Sequence, residues 1–160
     1  MRTVDEWLDA YGESHQNSTN KAIHWVCVPV ILFTTVGLFW SIPRLGMDGV
    51  LPGVAAPYLN WGSLLVLGSL IFYARLSSAM ALGMAVVSAI VIGGLLFIES
   101  VSSMPLWQVC TIVFVIAWIG QFIGHKIEGQ KPSFFEDLQF LLIGPIWLLG
   151  FVYRKLGITY

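Results

Sequence analysis

The chain has 160 residues, of which 57% are hydrophobic and 11% are charged, and its formal net charge is −1 at pH 7. A soluble domain carries about 25% charged residues, so this composition excludes an ordinary water-soluble protein and indicates that lipid surrounds most of the chain. The lack of a basic excess argues against a surface for nucleic acid.

The first predicted element is an amphipathic helix near the N-terminus. Its apolar stripe at i, i+3, i+4 and i+7 consists of Val4, Trp7, Leu8 and Tyr11. Acidic residues occupy the other face, where a helix that lies on anionic lipid usually carries Lys and Arg. We therefore expect this helix to pack on its own protein, with Trp7 near the membrane interface. Residues 1–23 lack the basic start and apolar stretch of a signal peptide.

Apolar stretches of roughly membrane-spanning length follow at residues 25–42, 58–73, 79–98 and 105–123. A fifth stretch, 138–153, is shorter and contains Pro145 after Gly144. It predicts either a span or a broken segment buried in protein. The expected fold is an all-α polytopic membrane helix bundle with about four full spans, this fifth short or broken segment and the N-terminal amphipathic helix.

Basic residues predict the orientation of the bundle. If 138–153 does not cross, seven basic residues lie on the N-terminal side and only Arg44 on the far side; if it crosses, the numbers are five and three. The positive-inside rule favours the first distribution and a cytoplasmic N-terminus. The default location is a bacterial inner membrane, or the endoplasmic reticulum membrane if the source is eukaryotic. Residues 1–160 are predicted to form one domain, with an N-terminal segment over 1–23 and the bundle over 24–160.

The three histidines of the chain are predicted to lie on one side of the membrane. His15 and His24 precede the first span, His125 follows the fourth, and four crossings return the chain to its starting face. Nine residues of unbroken helix would put His15 and His24 on opposite faces, so a break between them is needed. The sequence NSTN, from Asn17 to Asn20, supplies it because Asn and Ser favour turns and helix N-caps.

A second polar group follows the fourth span. His125 and Glu128 are three residues apart and share a helix face, and Gly129 and Pro132 are expected to end that helix. Imidazoles and a carboxylate at one mouth of a bundle resemble a divalent-metal site. Two His with one carboxylate is the open non-haem Fe(II) arrangement, whereas structural zinc usually fills four positions. Cys27 stays open as a further ligand, and so does the simpler interpretation of interfacial hydrogen bonds and helix caps.

Three other residues near His125 carry predictions of their own. Gln121 lies one turn before the histidine and is predicted to support it or to form an interhelical hydrogen bond. Gly120 and Gly124 form a GxxxG pair, which predicts close packing against a neighbouring helix.

The two polar stretches together resemble a known family. The stretches are YGESHQNSTNKAIHWVCVP at 11–29 and QFIGHKIEGQKPSFFEDLQFLLIGP at 121–145. As a pair they resemble those of the small membrane family of iron(II)-dependent 2-hydroxy fatty acid dioxygenases. The resemblance extends over essentially the whole chain. The pattern that carries it is a tyrosine, then His15, Asn20 and His24 before a proline-bearing span, and later Gly-His-x-x-Glu ahead of Pro132.

The resemblance implies a cofactor and a reaction. It implies that His15, His24 and His125 bind Fe(II) or are otherwise essential, with Glu128 as a further ligand or as a supporting group. We expect Asn17, Asn20 and Gln121 to be further supporting groups. A 2-hydroxy fatty acid would chelate the iron through its carboxylate and hydroxyl oxygens, and O₂ would cleave its C1–C2 bond to leave an acid one carbon shorter. The acyl chain would stay in lipid while the polar head reaches the iron.

Two other classes of function stay open. A small transporter or channel subunit usually holds its ionisable residues near the membrane midplane, whereas these spans are almost free of charge. A non-catalytic membrane scaffold, with a structural metal or none, would carry the same polar cluster. The metal content of the purified protein distinguishes these classes.

Overall fold

A computed structural model describes residues 3–47, 50, 53–129 and 141–160, and within these ranges the secondary structure is helical. Its α-helices are, in chain order, α1 Val4–Glu13, α2 Ser18–Trp40, α3 Trp61–Leu76, α4 Ser78–Val101, α5 Leu106–Glu128 and α6 Ile143–Leu156. A short 3₁₀ helix, Gly53–Tyr58, precedes α3. The prediction of an all-α helix bundle is confirmed for the described part of the chain.

Three of these helices, α2, α4 and α5, are long and apolar enough to cross a membrane. The helix of the predicted second span has the predicted length but runs over Trp61–Leu76 instead of 58–73, because the Asn60 side chain caps its start by accepting a hydrogen bond from the Ser63 N–H at 3.0 Å. The 16 residues of α3 extend about 24 Å, against about 30 Å for a hydrocarbon core. Four full spans therefore remain a prediction.

The amphipathic helix α1 forms as predicted and packs against α6. Thr3 and Glu6 make a capping box at its start, each side chain bonding to the backbone N–H of the other. Val4, Leu8 and Tyr11 are buried in a core that α1 shares with α6. The apolar stripe thus faces the protein, and the acidic face is left outside.

Helices α2 and α5 run antiparallel and approach each other closely. A Cβ atom added at Gly120 would lie 2.7 Å from the Cys27 sulfur, and one added at Gly124 would overlap the Asn20 side-chain oxygen. Only glycine permits such an approach, so the predicted GxxxG contact is confirmed. Because of this pairing, the N-terminal end of α2 lies against the C-terminal end of α5.

Helix α6 is continuous through Gly144 and Pro145, where the sequence left open a span or a broken segment. Pro145 lies in its first turn, where the missing N–H has no intrahelical partner to lose, so the proline starts the helix instead of interrupting it. The Tyr153 hydroxyl donates to the Ala79 carbonyl oxygen at 2.7 Å, and Gly144 packs against Val28. These contacts hold α6 beside the N-terminal ends of α2 and α4. Residues 138–140 of the predicted fifth segment lie outside the described residues.

The described basic residues follow the predicted division between the two ends of the bundle. One group belongs to the end where α2 and α4 begin and α3, α5 and α6 finish: Lys21, Arg75, Lys126, Arg154 and Lys155. Arg44 follows the opposite end of α2 and donates to the Ala56 carbonyl oxygen at 3.0 Å. Arg2 and Lys131 lie outside the described residues, and the side of the membrane remains a prediction.

Candidate metal centre

His15 lies in a short break between α1 and α2. The break occupies residues 14–17 and includes only the first residue of the NSTN stretch, Asn17, because α2 begins at Ser18. The Asn17 side chain caps α2 by accepting hydrogen bonds from the N–H groups of Thr19 and Asn20 at 2.9 and 3.3 Å. A break is therefore present as predicted, and it turns His15 back toward His24.

The three histidines meet at the end of the α2–α5 contact, as the topology argument predicted. The ring centroids of His15 and His24 are 4.3 Å apart, those of His24 and His125 are 5.1 Å apart, and those of His15 and His125 are 5.6 Å apart. One ring nitrogen from each histidine lies within 4.8 Å of the others. All three side chains are buried, with exposures of 2%, 0% and 6%. Such a group of imidazoles could hold a metal ion.

Two backbone carbonyls fix the orientation of two of these rings. The Nδ1 atom of His15 lies 2.7 Å from the Tyr11 carbonyl oxygen, and the Nδ1 atom of His24 lies 3.0 Å from the Asn20 carbonyl oxygen. A carbonyl only accepts, so each Nδ1 carries the hydrogen and each Nε2 keeps a lone pair. Both Nε2 atoms are buried without a hydrogen-bond partner.

An unpartnered buried polar atom is costly, and two such atoms side by side require an explanation. Histidines that bind metals commonly donate one ring N–H to a carbonyl or carboxylate and bind with the other nitrogen. His15 and His24 have that arrangement. The residues present therefore fit a metal ion.

Glu128 lies outside the group formed by the three histidines. Its carboxylate oxygens accept hydrogen bonds from the backbone N–H of Gln16 at 2.6 Å, from that of Asn17 at 2.9 Å and from the Asn20 side-chain amide at 2.9 Å. The carboxylate thus ties the end of α5 to the break that carries His15. Of the two roles implied by the resemblance, this geometry corresponds to the supporting one.

The remaining candidate residues lie around the histidines. Asn20 is fully buried and links Glu128, through its side-chain amide, to His24, through its carbonyl. Gln121 is buried one turn before His125, and its Oε1 atom has no hydrogen-bond partner. Cys27 packs at Gly120, outside the histidine group. Gly129 adopts a left-handed conformation that ends α5 as predicted, while Pro132 lies outside the described residues.

Two aromatic residues complete the wall around His15. The Tyr11 ring stacks on the His15 ring at a centroid distance of 4.2 Å, and Trp147 of α6 lies 5.3 Å from the same ring. In the sequence, Tyr11 belongs both to the apolar stripe and to the pattern that carries the family resemblance, whereas Trp147 belongs to neither. The spacing of four residues between Tyr11 and His15 was a usable signal, but nothing local in the sequence pairs Trp147 with a histidine.

Burial is the largest influence on the pKa of His15 and lowers it below 6.5. The hydrogen bond to the Tyr11 carbonyl opposes that shift, while charge on His125 adds to it. A lowered pKa means that His15 stays neutral to a lower pH than a free imidazole does. The neutral form is the one that binds a metal.

The family described as "2-hydroxy-palmitic acid dioxygenase Mpo1-like" matches residues 1–156. The chain belongs to this family. The match includes all three histidines and Glu128, and it confirms the resemblance seen in the sequence. The family's description names a dioxygenase, so a dioxygenase-like activity is the function that membership in the Mpo1-like family suggests. No curated protein and no solved structure was found to match the chain.

Proposed function

We propose that this protein is an Fe(II)-dependent dioxygenase that converts a 2-hydroxy fatty acid into the fatty acid one carbon shorter. The observation that carries the proposal is the buried histidine group, in which two adjacent Nε2 atoms have lone pairs and no partner. Membership in the Mpo1-like family supports the reaction class.

The donor set is compatible with iron. Imidazole binds iron, zinc, copper and nickel, so the three rings alone do not select among these metals. Structural zinc usually fills four positions with protein ligands, whereas three protein ligands leave room for substrates. The family's description as a dioxygenase favours a redox-active metal such as iron over zinc, which is not redox-active. When bound, Fe(II) supplies the reactivity toward O₂ that the side chains lack.

The proposed reaction balances without another co-substrate. One 2-hydroxy acid and one O₂ give the shortened acid, one CO₂ and one water. The C1–C2 bond breaks, C2 becomes the new carboxyl carbon, and the four electrons that C1 and C2 lose reduce O₂. No 2-oxoglutarate or flavin is therefore required, in keeping with the lack of a G-x-G-x-x-G motif in the sequence.

In this proposal the protein residues hold the metal, orient its ligands and keep bulk water away from it. The Nε2 atoms of His15 and His24, together with His125, would hold the metal. The carbonyls of Tyr11 and Asn20 orient two of the rings. The Tyr11 and Trp147 rings cover the His15 face, which separates the centre from bulk water.

The test is turnover by the full chain in proteoliposomes loaded anaerobically with Fe(II). After O₂ is admitted, mass spectrometry should detect the acid one carbon shorter than the added 2-hydroxypalmitic acid. Palmitic acid should not react, because it lacks the hydroxyl group on C2. Protein with bound Fe(II) that forms no shortened acid from any 2-hydroxy chain length would overturn the proposal and favour a membrane scaffold with a structural metal site.

We also propose that the histidine-bearing end faces the cytoplasm of a bacterial inner membrane, or the cytosol if the membrane is that of the endoplasmic reticulum. Cysteines introduced at Thr19 and Lys126 should react with an impermeant maleimide only after spheroplasts are permeabilised. A cysteine at Leu45, beyond the opposite end of α2, should react in intact spheroplasts. Labelling of Thr19 and Lys126 from opposite faces would contradict the assembled site.

A further inference from the structure

A cavity adjoins the candidate metal centre on the side of His15. It has a volume of about 240 Å³ and lies between α1, the break that carries His15, the start of α2 and α6. His15, Trp147 and Phe151 are among the residues in its wall. One water molecule occupies about 30 Å³, so the cavity has room for the carboxylate and hydroxyl groups of a 2-hydroxy acid. We call this cavity the vestibule.

The vestibule has charged side chains of both signs in its wall. They are Asp9 and Glu13 from α1, Lys21 from α2 and Arg154 from α6. The two acids and Arg154 are exposed, whereas Lys21 is half-buried. Arg154 also has a partner, because it donates a hydrogen bond to the Tyr160 hydroxyl at 2.7 Å. Lys21 is therefore the least hydrated of these charged groups.

The Lys21 ammonium group acts on His15 but has no partner of its own. Among the described residues its side chain makes no hydrogen bond and no ion pair, although two carboxylates share the cavity wall. Burial is the main cause of the lowered pKa of His15, and the positive charge of Lys21 adds to it, so that charge lies near the ring. A half-buried ammonium group is costly unless a partner satisfies it.

A positive charge at this place opposes the binding of a metal ion. Lys21 precedes His24 by three residues, so the two are neighbours on the surface of α2. An ammonium group and a divalent cation repel each other, and this repulsion weakens metal binding when nothing lies between them. A carboxylate has two oxygens that accept, so it can contact both cations and offset the repulsion. The arrangement therefore favours an anionic ligand over a neutral one.

We propose that Lys21 binds the carboxylate of the substrate in the vestibule and so gives the site its preference for 2-hydroxy acids over uncharged hydroxy lipids. This proposal rests on the proposed function for the identity of the head group. An ammonium group donates charge-assisted hydrogen bonds to a carboxylate, and these are about twice as strong as neutral ones. Lys21 thus acts on the binding of the substrate and not on the binding of the metal.

The test measures ligand binding without O₂, so that it does not depend on turnover. The full chain in nanodiscs of neutral lipid is loaded anaerobically with Fe(II), and calorimetry gives the Kd of 2-hydroxyoctanoic acid and of the uncharged 2-hydroxyoctanamide. Lys21→Met should raise the Kd of the acid by about five- to tenfold, because a charge-assisted hydrogen bond is lost, and should leave the Kd of the amide unchanged. Lys21→Arg keeps the charge and should retain most of the affinity for the acid. Lys126→Met, which removes an exposed lysine outside the vestibule at the same end of the bundle, should match wild type.

The affinity for Fe(II) alone is the second measurement. Lys21→Met should bind Fe(II) at least as tightly as wild type, because a repelling charge is gone, whereas a purely structural role of Lys21 would lower the iron content. An equal Kd of the acid in Lys21→Met and wild type, or loss of iron in Lys21→Met, would overturn the proposal. A Kd that depends on Lys21 in protein that forms no shortened acid would support the role of Lys21 in anion binding and contradict only the proposed function.

Discussion

At one end of the α2–α5 pair, Gly124 leaves room for Asn20 and His24; at the other end, Gly37 leaves room for Cys110 and Leu95. Both contacts depend on the missing Cβ of a glycine. The first end buries imidazoles, amides and unpartnered nitrogens, whereas the buried cluster at the second end is apolar.

This difference separates two uses of close helix packing. At the apolar end, close approach contributes contacts that stabilise the bundle. At the histidine end, it brings polar groups together where lipid and water are both excluded, and such groups are costly unless a ligand satisfies them. Substitutions at the two ends should therefore have different consequences for metal content.

The largest effect is expected from removal of a histidine. His24→Ala and His125→Ala should each lose most of the bound iron, since a three-ligand site loses a third of its donors. His15→Ala should abolish turnover even where some iron remains, because small misplacements of reacting groups cost large factors in rate. Iron per protein and shortened-acid formation are the measurements.

Lys126→Ala is the matched control for the histidine variants. Lys126 is exposed and adjoins His125 in the sequence, so its loss should leave the iron content intact. Full iron occupancy in both His24→Ala and His125→Ala would refute the ligand assignment.

A smaller effect is expected from Glu128→Gln. The amide keeps one acceptor oxygen but brings an NH₂ group toward the N–H donors of Gln16 and Asn17, which should loosen the break that carries His15. Iron should stay bound while turnover slows by about 10–100-fold, as is typical for a partner of metal ligands. Glu99→Gln, an exposed carboxylate at the opposite end of α4, should change neither quantity. Loss of iron in Glu128→Gln would instead make Glu128 a ligand.

The smallest effect is expected from alanine substitutions of the two glycines, Gly37 and Gly124. A Cβ at Gly37 would lie 2.8 Å from a Leu95 methyl group and would overlap the Cys110 sulfur, so Gly37→Ala should lower the free energy of unfolding by about 1–3 kcal/mol. Gly124→Ala should cost a similar amount and should also reduce bound iron, because it displaces Asn20 and His24.

Thermal unfolding and iron content of the folded fraction, measured together, provide the comparison. Gly68→Ala serves as the control, since a Cβ there meets no atom within 4 Å and a helix favours alanine. Equal iron content in Gly37→Ala and Gly124→Ala would show that the two ends do not differ in the way proposed.

Much of the architecture follows from local features of the sequence. Composition determines that the chain needs lipid, and hydrophobic length locates α2, α4 and α5. The i, i+3, i+4, i+7 stripe predicts α1 and its buried face. The order of the histidines relative to the apolar stretches puts all three at one end. Each of these inferences requires only the periodicity of apolar residues, the length of an apolar stretch or an even number of crossings between the histidines.

Other features depend on which residues meet across the bundle. The bounds of α3 and the place of Pro145 in the first turn of α6 were not predicted, because Asn60 caps α3 after the predicted start and the missing N–H of a proline costs nothing in a first turn. The supporting geometry of Glu128 depends on donors more than 100 positions away in the chain.

Composition and the number of crossings are enough to predict the lipid environment, the helical class and the gathering of His15, His24 and His125 at one end. The tertiary structure is needed to see that the carbonyls of Tyr11 and Asn20 orient two of the rings and that Trp147 lies against His15. The reason is physical. Hydrogen-bond direction and cavity shape arise from contacts between distant segments, and no local pattern of residues encodes which partner each lone pair will face.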